Sequence, residues 1–249
     1  MGKIGLQLYT VRDSAEANFH QLLRDVGEIG YEGAQFAGFY DTEAKDVADT
    51  LQSVGITPAG AHVPIEQLQH HLQDVIQYHK AIGNNLIICP YLPESMRENK
   101  AGYLQTAELF NQIGKELKQA GFQFAYHNHA FEFDRIEDTT GFKLLFENTD
   151  PNLVKMELDC FWATYAGYDP NEIMRDYKTR CISLHLKDIR EENGEKISTE
   201  IGNGTLDMKT LIQSGLDHNV EWFIIEQEHF TGDPLESAKK NVEALKEML

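Results

Sequence analysis

The chain has 249 residues, 41% of them apolar, and a formal net charge of −18. That length and apolar content suit one large α/β domain spanning residues 1–249. Nucleic acid is not expected as a partner, because its binders carry a Lys/Arg footprint and no basic cluster occurs here. No membrane span is expected either, since no apolar run approaches the roughly 20 residues that crossing a bilayer requires. The segment Met1-Gly2-Lys3-Ile4-Gly5-Leu6-Gln7 enters a strand without a secretory h-region. Leu6 stands where an N-myristoylation motif needs Ser or Thr. Cys89, Cys160 and Cys181 fall in or beside expected strands, with no CxxC pair. This usage reads as free thiols in a reducing compartment, the cytoplasm, and argues against a thiolate zinc site.

Short β-rich runs alternate with helical runs throughout, the mark of a parallel sheet with crossover helices. The first strand is expected over residues 4–9. A helix follows from about Ser14, with Phe19, Leu22, Leu23, Val26 and Ile29 at helical spacing, and Gly30 stops it. The second strand covers 33–36, and a helix from about Thr42 ends at Gly55. The third strand covers 57–62 and is closed by Pro64. One continuous helix is expected over 65–82, then the apolar strand Leu86-Ile87-Ile88-Cys89. A long helix over 100–120 precedes a strand over 122–127, and a short helix over 140–148 precedes a strand over 154–158. A helix over 171–177 leads to a strand over 181–186. The stretch 190–204 reads as a polar loop. A helix over 207–218, a strand over 222–225 and a helix over 234–248 complete the order. Eight β-α units in this length predict a (β/α)₈ TIM barrel rather than an open doubly wound sheet. No GxGxxG follows the first strand, so a dinucleotide fold lacks its main support.

Four strands end in concentrated chemistry. Phe124-Ala125-Tyr126-His127-Asn128-His129 runs on to Glu132, and Val154-Lys155-Met156-Glu157-Leu158-Asp159 ends in acids. Ile182-Ser183-Leu184-His185-Leu186-Lys187-Asp188 ends in a histidine and a lysine, and Phe223-Ile224-Ile225-Glu226-Gln227-Glu228 in acids. Residues two apart on a strand share a face. Glu157 pairs with Asp159, His185 with Lys187, and Glu226 with Glu228. At the C-terminal mouth of a barrel, where TIM-barrel active sites lie, these groups meet solvent, substrate or metal. Converging carboxylates repel, and a divalent cation relieves that; mixed carboxylate and imidazole ligation suits Mn, Zn, Co, Mg or Fe. The competing reading is a cluster of ion pairs in which Lys155 or Lys187 neutralises the acids. His127 and His129 stand as core or site histidines on this reading, and His62, at the end of its strand, is placed to serve a site. His20, His70, His71, His79 and His218 sit on expected helices and should be solvated.

At these residues the chain resembles the sugar phosphate isomerase/epimerase proteins with the xylose isomerase-like TIM barrel, relatives of the ketose 3-epimerases, inosose dehydratases and hydroxypyruvate isomerases. The resemblance runs through Gly5-Leu6-Gln7-Leu8-Tyr9-Thr10-Val11-Arg12, Ala61-His62-Val63-Pro64 and Tyr126-His127-Asn128-His129 with Glu132-Phe133. It continues through Leu158-Asp159 with Trp162, His185-Leu186-Lys187-Asp188 and Glu226-Gln227-Glu228. It implies a divalent metal held by Glu132, Asp159, His185 and Glu226. It also implies proton transfer next to a carbonyl of a small sugar or polyol by Glu132 and Glu226. His62, His127, His129, Trp162, Lys187 and Glu228 would contact substrate. Two departures stand out: Trp162 takes the place where some epimerases carry His, and Glu132 lies beyond its strand end, which leaves His127 or His129 as substitute ligands. The alternative activity is metal-dependent dehydration of a keto-polyol such as an inosose. Further readings are an abasic-DNA endonuclease, disfavoured by the acidic charge, and a non-catalytic carbohydrate-binding barrel. Relatives commonly form dimers or tetramers, so a homo-oligomer is compatible with the resemblance.

Overall fold

A computed structural model describes residues 2–249. Eight strands form the barrel: β1 (Lys3–Gln7), β2 (Gly33–Phe36), β3 (Thr57–His62), β4 (Leu86–Cys89), β5 (Gln123–His127), β6 (Lys155–Asp159), β7 (Cys181–Leu186) and β8 (Trp222–Ile225). Each pairs in parallel with its neighbours, and β8 closes on β1. The fold is a (β/α)₈ TIM barrel. Its helices are α1 (Arg12–Ile29), α2 (Ala44–Val54), α3 (Ile65–His70), α4 (Leu72–Ala81), α5 (Lys100–Gln119), α6 (Gly141–Glu147), α7 (Cys160–Tyr165), α8 (Pro170–Tyr177), α9 (Met208–Asp217) and α10 (Pro234–Lys246).

The main apolar layer lies between strands and helices. Phe110 of α5 packs against Phe124 and Tyr126 of β5, with ring centroids 5.3 Å apart in each pair. Burying such a side chain stabilises the fold by about 1.5–3 kcal/mol. Inside the barrel a second, smaller core forms the floor. Trp222, Ile224 and Ala59 pack there, and Leu86, Ile88 and Ala125 fill the other side. A Cβ on Gly33 would lie 2.6 Å from the Trp222 ring, so the indole fills the barrel floor only because that position is glycine. Above this dry floor the interior turns polar, as the alternating strand pattern predicts.

A bulge sets one functional residue. The β2–β3 register shifts between Ala34/Pro58 and Phe36/Ala61, and Gly60 there has φ +113°. Ala59 thereby faces the interior while Ala61 joins the helix-side core. The same irregularity turns His62 back toward the barrel axis, where it reaches Glu157.

The structure departs from the sequence reading at four places. The helix over 65–82 is two helices, broken at His71, whose φ of −134° is not helical. The polar stretch 190–204 is largely an antiparallel hairpin, Asp188–Glu192 with Glu195–Thr199. Helix α7 follows β6 directly because Asp159 caps it, its carboxylate accepting from the Trp162 amide at 2.8 Å. His79 is also buried on α4 rather than solvated, with Asn84 donating toward its Nδ1 at 3.1 Å.

Candidate active site

The polar interior has two storeys. In the lower one, Glu157 of β6 is fully buried and surrounded by donors. Its Oε2 accepts from Gln35 Nε2 at 2.6 Å and Ser183 Oγ at 2.8 Å. Its Oε1 lies 2.7 Å from His62 Nε2, 3.0 Å from His185 Nε2 and 3.4 Å from His127 Nδ1. Register explains the rest of the ring: Gln7 pairs with Gln35 across β1 and β2, and Gln7 Nε2 donates to Gln35 Oε1 at 2.7 Å. Burial alone would raise the Glu157 carboxyl, but His185 and the hydrogen bonds from the imidazoles outweigh it and hold the group well below the usual range.

The upper storey sits at the mouth. Lys187 follows β7, and its ammonium is buried among three carboxylates: Asp159 Oδ2 at 3.1 Å, Glu226 Oε2 at 2.9 Å and Glu228 Oε1 at 2.8 Å. The Trp162 and Phe161 rings flank it at 5.3 and 5.4 Å. Burial works against the charge, yet Asp159, Glu226 and Glu228 raise the ammonium's pKa, so it stays cationic. Burial likewise pushes Glu226 up, but Lys187 and His185 hold it well below normal, and it is ionised. Burial dominates at Asp159, which is pushed up to about 6.

His185 and His127 join the storeys. His185 Nε2 faces Glu157, while its Nδ1 lies 3.1 Å from Glu226 Oε2 and 4.0 Å from Asp159 Oδ2. His127 Nδ1 faces Glu157, and its Nε2 lies 3.8 Å from Asp159. If each ring gives its proton to the lower storey, the upper nitrogens present lone pairs toward carboxylate oxygens. Such a face needs a proton or a cation. At His185 burial opposes protonation, but Glu157 and Glu226 raise its pKa to about 10. At His127 burial, reinforced by His185, keeps the ring neutral.

This donor set fits a divalent ion. His127, Asp159, His185 and Glu226 each offer one ligand atom, all within 4.8 Å of one another. Asp159 Oδ2 is buried without an aligned hydrogen-bond donor, its contact with Lys187 being an ion pair only. Two imidazole nitrogens and two carboxylate oxygens are the mixed ligation that Mn, Fe, Co and Zn accept. Lys187 shares both carboxylates with that set. A second four-residue group, His62, His127, Glu157 and His185, lies in the lower storey. There the carboxylate is already satisfied by hydrogen bonds, the arrangement that orients metal-ligating histidines from behind.

The expected residues fall into place unevenly. Asp159, His185, Glu226, Lys187 and Glu228 meet at the mouth, and His62, His127, His129 and Trp162 line the cavity above them. Glu132 is not brought to this cluster. It lies on the turn Phe131–Phe133 beyond β5, with its carboxylate turned back to accept from the Tyr126 hydroxyl and, at 2.8 Å, from the His129 amide. His127, one of the two substitutes, lies with Asp159, His185 and Glu226 in the four-residue group at the mouth. Burial pushes Glu132 up to about 7. Arg12 stays at the rim, bonded to the Tyr9 carbonyl at 3.1 Å. Glu157 and Gln35 lie at the centre of the polar interior, and the candidate set left them out. Their signal was present, a polar side chain on the interior face of an otherwise buried strand.

The mouth opens into a cavity of about 370 Å³, walled by Tyr9, Tyr91 and Trp162 as well as the histidines. Trp162 Nε1 and His129 Nδ1 are buried there without partners. Unpaired buried polar atoms are costly unless a ligand satisfies them. Residues 23–248 match the model of the xylose isomerase-like TIM barrel.

The chain belongs to that family. Among curated proteins it is similar to an inosose dehydratase of Clostridium perfringens, 24% identical over 93% of this chain and 90% of that one. An inosose dehydratase of Geobacillus kaustophilus is 26% identical over 79% of this chain and 69% of its own. Among solved structures, a sugar phosphate isomerase/epimerase from Parabacteroides distasonis superposes with a TM-score of 0.87 at 24% identity, covering 99% of this chain and 94% of that one. These structural likenesses support the same barrel. No helix among the described residues is long and apolar enough to cross a membrane.

Proposed function

We propose that this family member is a metal-dependent isomerase or epimerase that moves a proton at a carbon next to the carbonyl of a small sugar or polyol. One observation carries the reading: Asp159, His185, Glu226 and Lys187 converge at the C-terminal mouth of the barrel, under a cavity with unpaired polar atoms. The likeness to inosose dehydratases supports a small polyol-type substrate and is shared by the second reading below. His127, Asp159, His185 and Glu226 would hold the metal. When bound, it supplies Lewis-acid polarisation of substrate oxygens and neutralises developing charge. Glu226, ionised and at the mouth, accepts the carbon-bound proton and returns it to the neighbouring carbon while the hydroxyl proton passes between the two enediolate oxygens, which balances an isomerisation. Lys187, held among Asp159, Glu226 and Glu228, keeps these carboxylates ionised beneath the substrate. His62, His129, Trp162 and Glu228 fix hydroxyls, and the Tyr9 and Tyr91 rings shield the site from bulk water. The three buried free thiols fit a cytoplasmic setting.

A specific observation favours a second reading, dehydration of a keto-polyol. An epimerase that uses two carboxylates needs one on each face of the substrate, and Glu132 is turned away from the mouth. Dehydration needs one base and a departing hydroxyl on the adjacent carbon. Incubating the metal-loaded protein with ketoses and inososes in D₂O separates the outcomes. Deuterium beside the carbonyl with an otherwise unchanged formula supports the isomerase reading; loss of one water supports the dehydratase. Neither change with any substrate defeats both.

A further inference from the structure

The mouth is not a single pocket. A second cavity of about 470 Å³ adjoins the first and shares Ala37, His62 and Pro64 with it. Its far wall is built by Phe39 after β2, Gln67 of α3, His71 at the α3–α4 break, and Asp74 and Tyr78 of α4. Small-molecule pockets run from roughly 300 to 1,000 Å³, so each lobe alone has the size of a ligand site. Only the first lobe touches the acidic cluster. One sugar ring seated there leaves the second lobe free.

The second lobe has the chemistry of a sugar subsite. Phe39 and Tyr78 form an aromatic wall, with ring centroids 4.4 Å apart. Tyr78 is fixed by donating to the Thr42 carbonyl at 2.7 Å, which ties the β2–α2 loop to α4. That loop holds Tyr40 and Asp41 at φ 51° and 55°, a left-handed backbone that side-chain-bearing residues adopt at a cost. Gln67, His71 and Asp74 are exposed around the aromatic wall and offer hydrogen-bond donors and acceptors. No lysine or arginine lines either lobe, and Lys187 beneath the first is held by three carboxylates. A phosphate finds no free cation here. An uncharged, hydroxyl-rich ring finds a stacking face and a polar rim.

From this two-lobed cleft we infer that the substrate is a neutral glycosylated keto-sugar, its reacting ring over the acidic cluster and its second ring in the lobe lined by Phe39, Gln67 and Tyr78. This rests on the reading that the first lobe binds a sugar or polyol. The test is equilibrium binding to the metal-loaded protein, using D-fructose, D-fructose 6-phosphate, and the glucosyl-fructoses turanose, maltulose and isomaltulose, which differ in linkage position. At least one glucosyl-fructose is expected to bind about tenfold or more tighter than fructose, a difference of roughly 1.4 kcal/mol. Gln67→Trp, which fills the second lobe from its exposed rim, should remove that advantage. Saturation-transfer NMR on the unmodified protein gives an independent readout, and the glucosyl protons should be among those saturated. Equal affinity for fructose and every glucosyl-fructose, unsaturated glucosyl protons, or tightest binding of fructose 6-phosphate overturns the inference while leaving the first lobe as a sugar site. Binding of none of these five sugars overturns the inference, and if other ketoses and inososes also fail to bind, the functional reading falls with it.

Discussion

Lys187 Nζ lies 2.9 Å from Glu226 Oε2, and both side chains are almost fully buried. The same ammonium contacts Asp159, so a protein side chain already supplies positive charge to the two carboxylates that a divalent ion would use. Burying two acids without a cation is unfavourable, and removing one partner of a buried pair commonly destabilises by about 3–5 kcal/mol. Lys187→Met should therefore lose about that much stability in chelator. Added Mn or Zn should stabilise this variant more than the parent, because the ion meets no competing ammonium. Urea unfolding with and without metal checks this, and a variant as stable as the parent in chelator would show that the ion pair does not hold the mouth together.

Glu226 touches both the candidate metal set and Lys187, and it lines the cavity. Glu226→Gln keeps the shape and removes the proton acceptor. Solvent deuterium exchange into substrate should fall by about 10²–10⁴-fold, the usual contribution of a general base. The variant should also melt earlier, because Lys187 keeps only Asp159 and Glu228, so exchange is compared at a temperature where it is folded and at saturating metal. Full exchange activity in the variant would remove Glu226 from the role of base.

The barrel was legible because its strands alternate as the pleat requires. The interior placement of Asp159, His185, Lys187 and Glu226 followed from residues two apart sharing a face. What the pattern could not carry was the direction of a side chain on an irregular turn. Glu132 sits on a 3-10 turn after β5, where strand periodicity no longer applies, and its carboxylate folds back on Tyr126. His71 broke an apparently continuous apolar periodicity without a Gly or Pro to announce it. The hairpin after β7 was hidden for another reason. Its strands are mostly polar and half exposed, yet Asp188 anchors the following loop by accepting from the Gly202, Gly204 and Leu206 amides at 3.0 Å each. Glu157 was visible as a partner of Asp159, but its role required knowing that three histidines from β3, β5 and β7 reach one carboxylate.

His79 gives a pH dependence away from the mouth. Burial holds its imidazole down at about 4, against an ordinary value near 6.5. Between those values the unfolded chain takes up a proton and the folded one does not. Stability is thus fully present above about 6.5 and is lost as pH falls toward 4, by up to roughly 3 kcal/mol from this group. His79→Phe keeps a ring between Phe39 and Tyr78 and should remove this part of the acid sensitivity. Denaturant melts at pH 7, 5.5 and 4 compare the two proteins, and a constant difference across that range would exclude His79 as a source of acid lability.

The final test concerns which acid belongs to the metal. The family resemblance puts Glu132 in the ligand set, whereas the geometry puts His127 there and uses Glu132 to hold the turn after β5. These assignments predict opposite results. If Glu132 is a ligand, Glu132→Gln lowers metal content as strongly as Asp159→Asn or His185→Ala. If it anchors the turn, the loss falls on stability, because a glutamine keeps only one acceptor oxygen for the Tyr126 hydroxyl and the His129 amide. An unmade buried hydrogen bond typically costs about 1–3 kcal/mol. We expect Glu132→Gln to retain about one equivalent of divalent metal and to melt earlier, while His127→Ala, Asp159→Asn and His185→Ala lose the metal. Metal analysis of the dialysed proteins decides the point. A metal-free Glu132→Gln beside a metal-replete His127→Ala would mean that the turn after β5 swings Glu132 into the mouth when the ion arrives.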